Sequence, residues 1–101
     1  MQEEKLLKII NHYGVNHQQR KLQEEIFELQ EAITTHELKK SVEYEIPLTE
    51  IIGTKEHITE ELADCLVVLF QFKEYYEIDK KDIIKVMNEK IDRTIKGMEE
   101  E

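Results

Sequence analysis

The sequence predicts an all-α protein, a bundle of about four helices that forms a single domain over residues 1–101. Apolar residues recur at the three- and four-residue spacing of helices along almost the whole chain. Only three glycines and one proline interrupt the 101 residues, which leaves few places for turns. Because a chain of this length buries a limited share of its surface by itself, we expect another copy to complete its core.

Two helices are predicted in the first 40 residues. The first covers residues 2–12 and stops at Gly14, a residue that suits a helix end. Asn16 is predicted to cap the second helix, since a glutamine follows three residues later, as in a capping box. The second helix then covers residues 17–38, with an apolar stripe along one side.

The second half of the chain is predicted to hold a long connector and two more helices. Residues 39–53 lack the helical period, and a connector of this length favours a role in function or in an interface. The third helix begins after Thr54 and ends near Tyr76, and Asp79 caps the fourth. The fourth helix carries an apolar stripe of Ile84, Met87, Ile91, Ile95 and Met98.

The charge balance disfavours several classes of partner. Fourteen basic and 23 acidic residues give a formal net charge of −9, which argues against nucleic acids and anionic membranes. The single cysteine, Cys65, cannot form an internal disulfide, and the first residues lack the apolar stretch of a signal peptide. The longest apolar stretch, residues 62–70, is too short to span a bilayer. We therefore expect a cytoplasmic protein that binds no nucleic acid and no membrane.

Two acidic residues stand out on the second predicted helix. At 100° per residue, Glu25 and Glu28 share one ridge beside the apolar stripe, whereas Glu24 and Glu31 point further toward solvent. Side chains three residues apart on a helix are neighbours. Glu25 and Glu28 can therefore converge on one ion.

The third predicted helix carries a second acidic pair. Asp64 is the only charged residue in 62–72, and Glu61 shares its ridge. A helix that is apolar all round is normally buried, and a buried carboxylate needs a metal or an ion pair. If the two ridges face each other, an all-oxygen site for Mg²⁺ or Mn²⁺ results. An interhelical lysine or arginine that neutralises Asp64 is the alternative. The predicted ligands are Glu25, Glu28, Glu61 and Asp64.

Three segments carry a resemblance to a known family: KLQEEIFEL at 21–29, TEELADCLVVL at 59–69 and NEKIDR at 88–93. In this order they are similar to the MazG-type, all-α nucleoside triphosphate pyrophosphohydrolases, whose signature joins two acidic helix motifs to an Asn/Lys/Arg element. The resemblance covers roughly residues 14–95. It implies a MazG-like bundle, magnesium on the four carboxylates with manganese as a substitute, and a homodimer or homotetramer.

The resemblance also implies a reaction, the hydrolysis of (deoxy)nucleoside triphosphates at the α-phosphorus to nucleoside monophosphate and pyrophosphate. The residues that it assigns to the substrate are Gln18, Lys21, Asn88, Lys90 and Arg93. In catalysis we expect Lys21 to add positive charge near the leaving pyrophosphate, Glu25 to act through the metal, and Glu24 to orient the water.

Some alternatives stay open at this point. A non-catalytic helical module that binds nucleotides or another protein would have the same fold. The spacer at 29–60 is longer than in many compact members of the family, which leaves substrate choice open. A di-iron bundle is disfavoured, because the acidic ridges lack its Glu-x-x-His elements. His57 is interpreted as a first-turn residue without a special task, and Cys65 as an inert packed thiol.

Overall fold

A computed structural model of the chain describes residues 1–40 and 52–101. These residues form four helices, and no strand occurs among them, which confirms the predicted all-α class. Most of the predicted connector, residues 41–51, lies outside the described part of the chain. The helices are α1 (Glu3–Tyr13), α2 (Val15–Lys40), α3 (Lys55–Tyr75) and α4 (Lys80–Glu99).

A single residue, Gly14, separates α1 from α2. Its φ of 92° lies in the region that favours glycine, and its N–H donates to the Ile10 carbonyl over 2.8 Å. The Gly14 carbonyl in turn accepts from the N–H of Gln18 over 3.0 Å, so the bonding pattern of α2 begins at Gly14. The prediction that Asn16 caps α2 is therefore wrong: Asn16 lies inside the helix, because glycine makes the turn within one residue.

Side chains cap the starts of the other two helices, and the cap at Asp79 is the one that the sequence predicts. Thr54 Oγ1 accepts from the N–H of His57 over 3.1 Å at the start of α3. Asp79 Oδ1 accepts from the N–H of Lys81 over 2.9 Å at the start of α4. Both caps satisfy backbone donors that have no partner within the first helical turn.

The core lies between the first three helices. α1 and α2 both pack on α3, and Ile10 of α1 is completely buried there. The other buried apolar side chains are small: Ala32 of α2, and Cys65 and Val68 of α3. Small residues allow α2 and α3 to approach each other closely, which brings their polar ridges within reach of one another.

The fourth helix buries none of its residues. Its predicted apolar stripe is exposed along its whole length, and so are Leu62, Leu66 and Leu69 on α3. Apolar surface of this extent marks an interaction site in most proteins, as expected for a core that another copy completes. The homo-oligomer itself stays a prediction. None of the described helices is long and apolar enough to cross a membrane.

Candidate metal centre and adjoining pocket

Four carboxylates from α2 and α3 meet in one cluster, which we call the acidic cluster. Each residue offers one oxygen, and these oxygens all lie within 4.8 Å of one another. The three-residue spacing on each helix places both members of a pair on the side that faces the other helix. The structure thus brings together the four predicted ligands, although metal binding by them stays a prediction. They are Glu25, Glu28, Glu61 and Asp64.

The two buried glutamates of the acidic cluster each have one bonded oxygen and one without a partner. Glu25 Oε1 lies 2.9 Å from Lys21 Nζ, and Glu61 Oε1 lies 3.2 Å from His57 Nε2. The second oxygen of each, Oε2, is buried and accepts no hydrogen bond within residues 1–40 and 52–101. A buried carboxylate oxygen without a partner is costly, and a cation held between the helices would remove that cost.

Asp64 is less buried than the sequence predicted. Its carboxylate is exposed, and so are its apolar neighbours Leu66 and Val67, because α3 is covered on one side only in the single chain. The ion pair considered as an alternative for Asp64 does not occur in the described part of the chain. The buried acids of the cluster are instead Glu25, whose side chain is 7% exposed, and Glu61, at 13%.

Electrostatic repulsion within the acidic cluster is visible at Glu28. The charge of Glu25 raises the pKa of Glu28 most, followed by partial burial and by the charge of Glu61. The pKa of Lys21 is also raised, first by its hydrogen bond to Glu25. Four carboxylates with one lysine between them leave an excess of negative charge. Their hard oxygen donors suit a small divalent cation.

A pocket of about 570 Å³ opens beside the acidic cluster. Two of the cluster residues, Glu25 and Asp64, form part of its wall, so a bound molecule can touch the cluster from the pocket. The predicted residues Gln18, Lys21 and Glu24 line it as well. The remaining lining residues are Ile9, Tyr13, His17, Arg20, Val67, Val68 and Gln71.

Two side-chain pairs in the pocket wall add Tyr13, His17 and Gln71, which the sequence analysis did not assign to the site, to the predicted Gln18. The rings of Tyr13 and His17 stack with their centres 4.8 Å apart. The amide of Gln18 donates to Gln71 Oε1 over 2.8 Å, and both side chains are buried. Gln71 shares the ridge of Glu61 and Asp64, a signal that the sequence does contain.

A family model described as the MazG nucleotide pyrophosphohydrolase domain matches residues 15–97. The chain belongs to this family. The match spans most of the chain and includes all four carboxylates of the acidic cluster, in agreement with the resemblance read from the sequence. No curated protein and no solved structure matches the chain.

The remaining predicted residues of this MazG-family chain lie away from the cluster. Asn88, Lys90 and Arg93 are exposed on α4, and none of them lines the pocket. The structure of one chain therefore does not join them to the other candidate site residues.

Two further residues of the MazG-family chain lie next to the acidic cluster. His57 lies in the first turn of α3, as predicted, and its ring contacts Glu61, a contact that the sequence analysis did not predict. Cys65 is buried behind the cluster, and burial, followed by the nearby carboxylates, raises the pKa of its thiol. A thiol of raised pKa is a poor nucleophile at neutral pH, in agreement with the interpretation of Cys65 as a packed side chain.

Proposed function

We propose that the chain hydrolyses nucleoside or deoxynucleoside triphosphates at the α-phosphorus and releases a nucleoside monophosphate and pyrophosphate. The observation that carries this proposal is the pair of buried, unpartnered oxygens on Glu25 and Glu61 beside a pocket whose wall includes Arg20 and Lys21. Membership of the MazG nucleotide pyrophosphohydrolase family supports the reaction class.

The acidic cluster fits Mg²⁺, or Mn²⁺ in its place. Its donors are all carboxylate oxygens from two helices, and two of them lack any partner among the described residues. Glu25, Glu28, Glu61 and Asp64 would hold the ion. When bound, a divalent cation neutralises charge on the phosphates and lowers the pKa of a water molecule.

The side chains of the pocket supply the rest of the chemistry. Lys21 bridges the cluster and the pocket, since its ammonium pairs with Glu25 and its side chain lines the cavity. Lys21 and its neighbour Arg20 place positive charge where the leaving pyrophosphate gathers negative charge. Glu24, which lines the pocket without belonging to the cluster, orients the attacking water and accepts its proton.

The part of the pocket wall that is formed by aromatic and amide side chains receives the nucleoside. Stacked aromatic rings and a buried amide pair are the kinds of group that hold a base by its face and by its edge. Tyr13 and His17 supply the rings, and Gln18 and Gln71 supply the amides. This placement leaves the triphosphate directed toward Lys21 and the acidic cluster.

A second copy of the chain completes the site. Lys90 and Arg93 carry the positive charge that the reaction class requires, yet α4 does not bring them to the pocket of its own chain. The exposed stripe of α4 and the exposed leucines of α3 provide the apolar surface for pairing in a homodimer or homotetramer. In such an assembly Asn88, Lys90 and Arg93 contact the phosphates bound by the partner. The free thiol of Cys65 suits a cytoplasmic setting.

The test is pyrophosphate release from a panel of ribo- and deoxyribonucleoside triphosphates with Mg²⁺ and with EDTA. We expect release with Mg²⁺ alone, and a loss of at least about a hundredfold in Asp64→Asn, because the phosphates would lose part of their charge neutralisation. Glu60→Gln is the matched control, since Glu60 is exposed one residue before Glu61 and outside the cluster. Binding of nucleotides without any turnover would instead indicate a regulatory module.

A further inference from the structure

Three hydrogen bonds connect α2 to one buried carboxylate of the acidic cluster. His36 Nδ1 of α2 bonds to the Gly53 carbonyl over 2.8 Å. The N–H of Gly53 donates to His57 Nδ1 over 3.2 Å. His57 Nε2 then lies 3.2 Å from Glu61 Oε1. The chain of contacts ends on a predicted metal ligand.

The backbone decides which nitrogen of each ring carries the proton. A peptide N–H can only donate, so His57 Nδ1 must be the acceptor and must carry no proton. The neutral ring then has its proton on Nε2 and donates it to Glu61 Oε1. A carbonyl oxygen can only accept, so His36 Nδ1 is protonated. All three bonds therefore donate in one direction, from α2 toward Glu61.

The backbone conformation and the close packing at position 53 both favour glycine over other residues. Its φ is 83°, a conformation that side chains rarely adopt. A Cβ at this position would lie 2.8 Å from the backbone nitrogen of His36 and 3.1 Å from the carbonyl carbon of Thr35. Lys39 of α2 also donates to the Ile52 carbonyl over 2.6 Å, directly before Gly53. The Gly53 N–H, which donates to His57, is therefore held against α2 by the contacts of Gly53 and of Ile52.

The bond from His57 leaves Glu61 with a defined orientation. Oε1 is occupied by the imidazole, whereas Oε2 is buried and has no partner among the described residues. A partial rotation of the carboxylate would break the bond to His57 without giving either oxygen another donor in that region, and a half turn only exchanges two equivalent oxygens. Groups that hold a metal ligand from behind in this way tune the affinity of the site.

We propose that His57 is a positioning residue that fixes Glu61 with Oε2 free for a divalent cation, and that Gly53 sets its tautomer. The inference rests on the proposed function only in taking a cation as the ligand of the acidic cluster. In this arrangement one carboxylate oxygen of Glu61 bonds to His57, and the other binds the cation. Ser, Thr or an apolar residue at position 57 would leave both oxygens free to turn.

Titration of the metal-free chain with Mn²⁺, followed by calorimetry without nucleotide, tests the proposal. We expect His57→Leu to weaken Mn²⁺ binding by about 10- to 100-fold, because Glu61 loses its fixed orientation. His57→Gln keeps a donor near the place of Nε2 and should restore the affinity to within a few-fold of wild type. His12→Leu is the matched control, since His12 is an exposed histidine on α1 outside the cluster.

A nitrogen-15 spectrum of the histidine rings provides a measurement that needs no metal and no activity. We expect His57 protonated on Nε2 in wild type, and a shift toward the other tautomer in Gly53→Ala if that variant folds. His57 protonated on Nδ1, or wild-type Mn²⁺ affinity in a folded His57→Leu chain, would overturn the proposal. A purely structural role would lower the thermal stability of His57→Leu and leave its Mn²⁺ affinity unchanged.

The outcomes separate this inference from the proposed function. If no triphosphate is hydrolysed while Mn²⁺ affinity still falls in His57→Leu and recovers in His57→Gln, the positioning role holds and the pyrophosphohydrolase fails. If magnesium-dependent turnover occurs and both variants bind Mn²⁺ as wild type does, the positioning role fails and the enzyme stands.

Discussion

Replacement of Glu61 with glutamine should stabilise the chain in the absence of a divalent cation and abolish the stability that the cation adds. The substitution keeps the shape of the side chain and an oxygen that accepts from His57 Nε2. It removes one charge from a group of four carboxylates, and its new amide can donate to the unpartnered Oε2 of Glu25. We therefore expect Glu61→Gln to be more stable than wild type in EDTA and to gain nothing from Mg²⁺.

The size of the effect follows from the geometry of the acidic cluster. At 4.8 Å, the largest separation between the offered oxygens, two charges repel by about 3.5 kcal/mol at an effective dielectric constant of about 20. Solvent screens Glu28 and Asp64, which are exposed, and Lys21 compensates part of the charge of Glu25. A gain of about 1–3 kcal/mol is left, and each kcal/mol raises the Tm of a domain of this size by about 4 °C or more.

Thermal unfolding of wild type, Glu61→Gln and the control Glu60→Gln in EDTA and in Mg²⁺ measures the effect. Wild type and the control should gain stability from the cation, by about 2.7 kcal/mol when its concentration is a hundred times Kd. Glu61→Gln should have a higher Tm than wild type in EDTA, and Mg²⁺ should leave that Tm unchanged. A variant that unfolds below wild type in EDTA, or that responds to Mg²⁺ as wild type does, would refute the reasoning about the cluster.

Three further results follow from the charge, the pocket and the fourth helix. The raised pKa of Glu28 means that the folded chain holds this proton more tightly than the unfolded chain, so its contribution to metal-free stability rises as pH falls from neutral toward 4.5. Glu28→Gln should flatten that part of the curve of Tm against pH measured in EDTA. Gln71→Leu should raise KM and narrow the difference in KM between bases more than it lowers kcat, because Gln71 lines the pocket and the proposed function places its amide at the base. Mixing of Asp64→Asn chains with Arg93→Ala chains should restore up to about a quarter of wild-type turnover, since half of the random dimers then hold one intact site.

Each of these results has a contrary outcome that would count against it. A Tm that depends on pH equally in wild type and Glu28→Gln would remove the role of the cluster in that dependence. An unchanged ranking of bases in Gln71→Leu would place the base elsewhere. Mixed chains no more active than the sum of their parents would show that α4 serves its own chain or none.

Local patterns in the sequence were enough to predict the helices and the acidic pair on each of two helices. The spacing of apolar residues gives the four helices, and Thr54 and Asp79 are caps because their short side chains accept from the first turn. Glu25 and Glu28 follow from a three-residue spacing beside an apolar stripe. All of these features depend on residues within about one helical turn of each other, where periodicity is informative.

Features that depend on distant residues could not be predicted in the same way. Tyr13 reaches the pocket because Gly14 turns α1 back along α2 and α3. Neither the angle of that turn nor the packing of α1 on α3 can be predicted from a local sequence pattern. The proposed role of His57 could be inferred only from the contacts that connect it to Gly53 and His36. The predicted burial of Asp64 was wrong for a related reason: apolar neighbours indicate that α3 is covered, but not whether its own chain covers it.

The position of α1 has a consequence for how such proteins diverge. This helix precedes the matched residues 15–97, yet Ile10 anchors it to the bundle, and Ile9 and Tyr13 form part of the pocket wall. The cluster that would perform the chemistry and part of the wall that would choose the substrate thus belong to different stretches of sequence. On the proposed function, exchange of residues 1–13 between relatives would change the preference for one nucleotide and leave the four carboxylates of the acidic cluster in place.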